Sequence, residues 1–129
     1  MLLYTNCASQ KAESVIDESE LTYLSLVKQQ NCNNQIRIFD NQKDFDAFQS
    51  SLEKTGPRSN PLFLVDFTTK NIAAICKSDI DSYQLKNIEV RKKTNILILE
   101  KIEGYENYGE MNTLLIEVPK KINTLELNK

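Results

Sequence analysis

Tyr83-Gln-Leu-Lys-Asn-Ile-Glu-Val90 is followed by the charged stretch Arg91-Lys-Lys-Thr-Asn95 and then by Ile96-Leu-Ile-Leu99, which continues to Ile102. Two runs rich in aliphatic residues, separated by a short polar stretch, predict two strands joined as a long hairpin. Hairpin strands pair antiparallel. This stretch therefore decides the fold class, because it commits both of its strands to an antiparallel sheet.

Shorter runs of the same kind lie on both sides of the hairpin. The run Ile72-Ala-Ala-Ile-Cys76 is apolar on both faces, which is typical of a strand at the centre of a sheet. Residues 62–67 form an apolar, extended segment that contains one acid. Further strands are predicted over residues 21–27, 35–39, 112–118 and 122–127.

One helix is predicted, at about residues 41–54. Phe45, Phe48 and Leu52 recur at helical spacing among polar residues and form one apolar stripe. An Asp-Asn pair at the start can cap the first turn, and a Gly-Pro pair after the end stops the helix. We interpret the stripe as a core contact with the sheet.

Runs of strands without alternating helices favour an antiparallel α+β fold over a doubly wound parallel sheet. We therefore expect a mostly antiparallel β-sheet that forms either a curled sheet or a partly open barrel. The helix is expected to cover one face or one end of it. The 129 residues fit one domain, and residues 21–129 are assigned to it.

The composition excludes several classes of site. The chain contains no His, the commonest general acid–base residue and metal ligand. Its three Gly residues do not form a phosphate-binding loop. The net charge is -2 and the Lys and Arg residues are interspersed with acids, so no basic face for nucleic acid is expected. We expect no catalytic residue, no metal and no cofactor, and we interpret Arg91-Lys-Lys93 as a solvated turn.

The N-terminal residues resemble the end of a bacterial lipoprotein signal. Short apolar residues lead to Cys7, and Ala-Ser-Gln-Lys and a polar stretch follow it. In such signals the Cys becomes the lipidated first residue of the mature protein, and Asn6 stands here where a small residue is usual. The resemblance implies a lipid anchor at Cys7 on a membrane surface of the bacterial cell envelope, in the periplasm or at the outer membrane. The alternative is a disordered tail with an incidental Cys.

The polar residues after Cys7 are predicted to be a flexible tether. Residues 8–20 are mostly Ser, Glu, Asp, Gln, Lys and Ala, with two isolated aliphatic residues, Val15 and Ile16. Such a composition buries too little apolar surface to order itself. Residues 1–20 are therefore interpreted as a signal remnant followed by a tether.

Three cysteines are present, at positions 7, 32 and 76. If Cys7 carries a lipid, Cys32 and Cys76 remain as an even pair, which in an exported protein favours a disulfide. The alternative is two separate buried thiols, because Cys76 lies in an apolar strand and Cys is often a core residue. The spacing matches no metal-binding pattern.

Three parts of the chain, taken in order, carry a family resemblance. They are the strand and helix over residues 35–54, the runs Val65-Asp-Phe67 and Ile72-Ala-Ala-Ile75, and the ending Leu114-Leu-Ile-Glu-Val-Pro-Lys120. Together they resemble the C-terminal domain of the protease complex subunit PrcB family, over about residues 21–129. Where that family has a Gly-Gly-Tyr turn, this chain has Asp81-Ser-Tyr83. The resemblance implies a non-catalytic accessory role in the cell envelope, in which the protein helps a partner protein to fold or assemble.

Two candidate sites follow from single residues. Asp66 stands in an apolar run, as either a perturbed acid in a pocket or an acid that accepts N–H bonds from the following turn. Tyr105, Tyr108 and Met111 lie in or beside a Gly-bounded loop and, with Tyr83, form a candidate interaction surface, because Tyr carries large contact area at low entropic cost. The alternative is that the Tyr side chains pack over the sheet edge.

Three hypotheses of function remain open at this stage. The first is a lipid-tethered interaction module of the bacterial envelope with an unknown protein partner. The second is a small ligand-binding or carboxylate-based enzyme domain that uses Asp66. The third is a protease inhibitor that presents Tyr83 or the loop with Tyr105 and Tyr108.

Overall fold

The computed structural model describes residues 13–52, 63–104 and 111–128. The strands are β1 (Ser14–Asp17), β2 (Thr22–Val27), β3 (Ile36–Phe39), β4 (Lys70–Cys76), β5 (Tyr83–Arg91), β6 (Thr94–Lys101), β7 (Thr113–Pro119) and β8 (Glu126–Leu127). One α-helix, α1 (Gln42–Ser50), lies between β3 and β4. Short 3₁₀ turns at Glu18–Glu20 and Ile80–Ser82 precede β2 and β5.

The eight strands form two four-stranded sheets, in the orders β1-β5-β6-β8 and β2-β7-β4-β3. Every strand pair is antiparallel except β6 with β8. The α+β class with a mostly antiparallel sheet is confirmed. Over the described residues the strands build two separate sheets rather than one curled sheet, and they form no closed barrel.

The two faces of β4 explain its apolar sequence. Ala73 and Ile75 belong to the core between the two sheets, with Ile88, Leu97 and other side chains of the β1-β5-β6-β8 sheet. The alternate residues Ile72 and Ala74 belong to a second core beneath α1. Because both faces of this strand are covered, alternation of apolar and polar residues is lost. The molecule thus has three layers, namely sheet, sheet and helix.

The helix begins where its sequence indicates. Asn41 is the N-cap, and its side-chain oxygen accepts a hydrogen bond of 2.8 Å from the Asp44 N–H. Phe45, Phe48 and Leu52 face the second core, so the interpretation of the stripe as a core contact is confirmed. The helix ends at Ser50 and Ser51 is its C-cap, which is earlier than the predicted end at 54. The Gly-Pro stop signal lies outside the described residues.

Residues 63–66 pair with no strand, although their apolar run is compatible with one. Two glutamines of α1 take the place of a strand partner. The Gln49 side chain accepts a hydrogen bond from Phe63 N–H at 2.8 Å, and the Gln42 side chain accepts one from Val65 N–H at 3.1 Å. Phe63 and Val65 pack towards the helix core while Leu64 is 88% exposed, so the period of two survives without a sheet.

The predicted tether is wrong for residues 14–20. Residues 14–17 form β1, which pairs with β5 from Ser14 opposite Val90 to Asp17 opposite Asn87. Ile16 is only 3% exposed and joins the core between the sheets. A polar segment with one well-placed aliphatic residue is ordered here because the edge of β5 supplies backbone hydrogen bonds that the segment cannot make by itself. Residues 1–12 lie outside the described part of the chain.

The last predicted strand is also shorter than expected. Only Glu126 and Leu127 pair, and they run parallel to β6. The preceding residues are held by packing and by a buried amide, because Ile122 and Leu125 are buried and Asn71 donates hydrogen bonds to the carbonyl oxygens of Lys120 and Ile122. The chain therefore crosses from the end of β7 to the other sheet through side-chain contacts rather than a ladder.

The turn of the long hairpin predicts a stability experiment. Arg91 pairs with Thr94, so Lys92 and Lys93 form a two-residue loop, and both have positive φ (49° and 67°). Type I′ turns of this kind strongly favour Asn-Gly. Replacing Lys92→Asn together with Lys93→Gly should raise the free energy of unfolding by about 1–2 kcal/mol, since it removes backbone strain from two positions. Urea denaturation measures the change.

A charge-only control separates strain from electrostatics at this turn. Lys92→Gln together with Lys93→Gln removes the same two charges but keeps side chains at both positive φ positions, and its stability should stay within about 0.5 kcal/mol of the starting protein. An equal gain from this glutamine pair would show that relief of charge, rather than of backbone strain, stabilises the hairpin.

Candidate functional site

Asp66 lies at the surface, in the turn before β4. Its carboxylate accepts hydrogen bonds from the Thr68 hydroxyl at 2.5 Å and from the Thr68 N–H at 3.1 Å. These hydrogen bonds hold the pKa of Asp66 below its usual range, and the one from the hydroxyl has the largest effect. The carboxylate is therefore ionised and capped by its own turn, as Asp commonly is. Neither of the two cavities described below is lined by Asp66.

Cys32 and Cys76 are joined by a disulfide, with their Cα atoms 5.5 Å apart. The bond connects the segment between β2 and β3 to the end of β4. Of the two alternatives that the sequence leaves open, the structure contains the bonded pair. The bond lies close in sequence to Asn34 and Gln35, which line the larger cavity, and to Lys77, which lines it from the other side. It therefore braces two walls of that cavity.

The larger cavity is an open cleft of about 520 Å³ between the two sheets. It is lined by residues of β3, β5, β6 and β8, which belong to both sheets. Its floor is aliphatic, formed by Ile36, Leu97, Leu99, Leu125 and Leu127. Concave surfaces with an apolar floor and a few polar groups are the usual form of a binding site.

The polar wall of the cleft is built around Tyr83. The Lys77 ammonium lies 5.0 Å from the Tyr83 ring centroid, and the Lys101 ammonium lies 6.0 Å from it. Lys77 also pairs with Asp79 at 2.7 Å, and that hydrogen bond is the main cause of its raised pKa. The lysine is therefore protonated at neutral pH and oriented. Glu126 adds one carboxylate to the same cleft.

A second, shallower groove of about 380 Å³ lies between β3 and α1. Its main feature is Arg37, whose guanidinium carbon lies 4.8 Å from the ring centroid of Phe39 and 5.6 Å from that of Phe48. The guanidinium lies over both rings, a contact that arginine commonly makes with aromatic faces. Asp44 lines the same groove, but its carboxylate accepts a hydrogen bond from the Asn41 amide at 3.0 Å.

Of the predicted interaction residues that the structure describes, Tyr83 and Met111, only Tyr83 lies in a cavity. Tyr83 lines the cleft, whereas Met111 is half-buried beside β7 and lines neither cavity. Tyr105 and Tyr108 lie outside the described residues, as does Cys7. Of the candidate surface, Tyr83 therefore keeps a place in a cavity, with lysine partners that the sequence did not indicate.

Sequence reasoning missed the residues that build both cavities. Arg37 is one charged residue in an alternating strand, and Leu99 and Leu127 look like ordinary strand residues. Arg37 and Leu127 line cavities because β3 and β8 are edge strands, whereas Leu99 does so from β6, the neighbour of β8. Strand order is a property of the sheets. One signal in the sequence is the set of aliphatic residues in the last nine positions. There are more of them than a two-residue strand would bury, which indicates a further apolar surface there.

Among the described residues no group of three or more Cys, Asp or Glu side chains is placed to hold a metal ion. Over the same part of the chain, no helix has the length and apolar character needed to cross a membrane. Comparisons with protein-family models, with curated proteins and with solved structures each gave no match. The resemblance to the PrcB family therefore stays a prediction. The geometry of the cleft is the observation that bears on function.

Proposed function

We propose that this protein is a non-catalytic interaction module of the bacterial cell envelope, and that it binds a partner protein in the cleft between its sheets. The observation that carries the proposal is the cleft itself, with its aliphatic floor and a polar wall of Lys77, Tyr83 and Glu126. In protein–protein binding, most of the binding energy comes from a few side chains that bury apolar area in a cavity with a polar rim.

Two further features support this function. The Cys32–Cys76 disulfide suits an oxidising compartment such as the periplasm. The charged groups near Tyr83 are held by contacts within the protein, since Lys77 is paired with Asp79 and the ammonium groups of Lys77 and Lys101 lie 5.0 Å and 6.0 Å from the Tyr83 ring centroid. The accessory role implied by the PrcB resemblance, which is to help a partner such as a protease to fold or assemble, needs a site of this kind.

The binding proposal is tested by cross-linking and capture from native cell envelopes with matched variants. Leu99→Gln and Leu127→Gln place a polar amide in the floor of the cleft, and each should reduce capture of the specific partner about tenfold or more. Leu64→Gln makes the same change at an exposed position outside both cavities and should leave capture unchanged. Unfolding midpoints of the three variants show whether the fold is retained. Equal capture by all variants would refute the proposal.

The location has a separate test. If Cys7 is the lipidated first residue, the intact mass of the natively expressed protein corresponds to a chain that begins at Cys7 and carries acyl groups. We expect that mass. A protein that retains residues 1–6 with an unmodified thiol would remove the lipid anchor from the proposal, and would leave the binding cleft unaffected.

A further inference from the structure

Among the described residues, β3 pairs on one side only, with β4, and its other side is called the free edge here. Cys76 N–H donates a hydrogen bond of 2.8 Å to the Gln35 carbonyl, so residue 35 is in a hydrogen-bonded pair with β4. In an antiparallel ladder such pairs alternate along the strand. The N–H and C=O groups of Ile36 and Ile38 therefore point away from β4, and no described residue pairs with them.

The other three sheet edges differ from β3. The edge strand β2 has a bulge between Tyr23 and Ser25, and β8 is two residues long; both are common ways of blocking an edge. The edge strand β1 borders neither cavity. In contrast, β3 pairs with β4 without a break from Ile36 to Phe39 and carries no proline.

Both cavities border the free edge of β3. Ile36 lines the cleft between the sheets, and it packs, like Ile38, against the core there. Arg37 and Phe39 point to the opposite face and line the groove beside α1, whose lining also includes Ile38. A strand added along this edge would place alternate side chains over the two faces, and so into the two cavities in turn.

Charge decides what lies opposite Arg37. Its guanidinium lies over the rings of Phe39 and Phe48 but forms no ion pair with any carboxylate of the described chain. Residue 37 would be in a non-hydrogen-bonded pair with an added antiparallel strand, where facing side chains are closest. A carboxylate at that place satisfies the guanidinium. Two-fold pairing of β3 with a second copy about this residue would set Arg37 against Arg37, which like charges oppose.

We propose that the free edge of β3 receives an extended segment of a partner protein by strand addition. The incoming segment has apolar residues at alternate positions, directed into the cleft between the sheets, and Asp or Glu opposite Arg37. This inference rests on the proposed function and specifies how the cleft is used. The backbone of Ile36 and Ile38 supplies the hydrogen bonds, and the two cavities supply the specificity.

The experiment uses a displayed library of linear peptides, selected against the full chain with its disulfide intact. Enriched peptides should alternate apolar residues with polar ones and carry an acid between them. Affinity of a selected peptide should fall about tenfold or more in Ile38→Pro, because proline lacks the outward N–H. Ile38→Val, which keeps that N–H in a side chain of similar size, should change affinity by no more than about twofold.

Proline is tolerated at this position because the lost N–H is not part of the β3–β4 ladder. Equal unfolding midpoints for Ile38→Pro and Ile38→Val confirm that the fold is retained, and slowed amide exchange at Ile36 and Ile38 on peptide binding reads the contact directly. A charge exchange adds a second readout. Arg37→Glu should weaken the acidic peptide roughly fivefold and favour its Lys counterpart.

Three outcomes overturn strand addition: no peptide enriched by the chain, equal affinity for Ile38→Pro and Ile38→Val, or concentration-dependent dimerisation that peptides do not compete with. The failure of the proposed function is distinguishable from these. If capture of the envelope partner depends on Leu99 and Leu127 but is unaffected by Ile38→Pro, the cleft binds its partner without strand addition. If capture is unaffected by the Leu99 and Leu127 substitutions, the proposed function itself fails.

Discussion

Removing the disulfide by the double substitution Cys32→Ala and Cys76→Ala is expected to lower the free energy of unfolding by about 4 kcal/mol. The bond joins residues separated by 44 positions, and closing a loop of that length removes a corresponding amount of chain entropy from the unfolded state. A small domain has a total stability of only about 5–15 kcal/mol, so much of it depends on this bond. Alanine suits Cys76, which is almost fully buried.

Reductant provides the matched comparison for this prediction. Urea denaturation of the unsubstituted protein with and without dithiothreitol should show the same loss, and the double variant should be insensitive to reductant. Reduction should also change the geometry of the cleft, because the bond holds the residues on both sides of it. A protein whose unfolding midpoint does not change on reduction would show that the disulfide contributes little to the fold.

The second large effect is expected at Phe45. Its side chain is completely buried, with ring centroids 5.7 Å from Phe39 and 6.2 Å from Phe67. Phe45→Ala should lower the free energy of unfolding by about 3–5 kcal/mol, because it leaves a cavity between α1 and the sheet that the neighbouring rings cannot fill. Thermal or urea unfolding followed by circular dichroism measures the loss.

Two controls define the cause. Phe45→Leu keeps most of the apolar volume and should cost about 1–1.5 kcal/mol. Phe63→Ala removes the same ring type from a half-buried position at the rim of the same core and should cost less than Phe45→Ala. A loss at Phe45 no larger than that at Phe63 would mean that the helix is not anchored to the sheet through this residue.

The sequence predicted those elements whose apolar period and turn residues lie within the element itself. The hairpin of β5 and β6 follows from two aliphatic runs around a polar turn, and its turn lies at Lys92 and Lys93 as expected. The helix follows from Phe45, Phe48 and Leu52 at helical spacing. These elements were predictable because period and turn composition act between residues close in sequence.

Elements that depend on a distant partner were not predictable in the same way. Residues 14–17 form a strand only because β5 offers an edge far later in the chain, as the pairing of Ser14 with Val90 shows. Residues 63–66 are apolar enough for a strand, yet their N–H groups bind glutamine side chains of α1. In both cases the local composition is compatible with more than one structure, and tertiary contacts select one.

The candidate site shows the same division. The sequence indicated Tyr83 as an exposed aromatic residue and left Asp66 open between two interpretations. The structure places Tyr83 on the polar wall of a cleft and Asp66 in its own turn at the surface. Arg37 is a candidate binding residue because β3 lies at the edge of its sheet. The sequence of residues 35–39 does not indicate that position.

By itself, the sequence determined the antiparallel α+β class, the one helix and the lack of histidine chemistry, because composition and short-range periodicity depend on the order of residues alone. The tertiary structure decided that the strands divide into two sheets, that β4 is covered on both faces and that β3 keeps a free edge between two cavities. Those features arise from contacts between residues far apart in the chain. Their energies depend on which surfaces meet, and short-range sequence patterns do not carry that information.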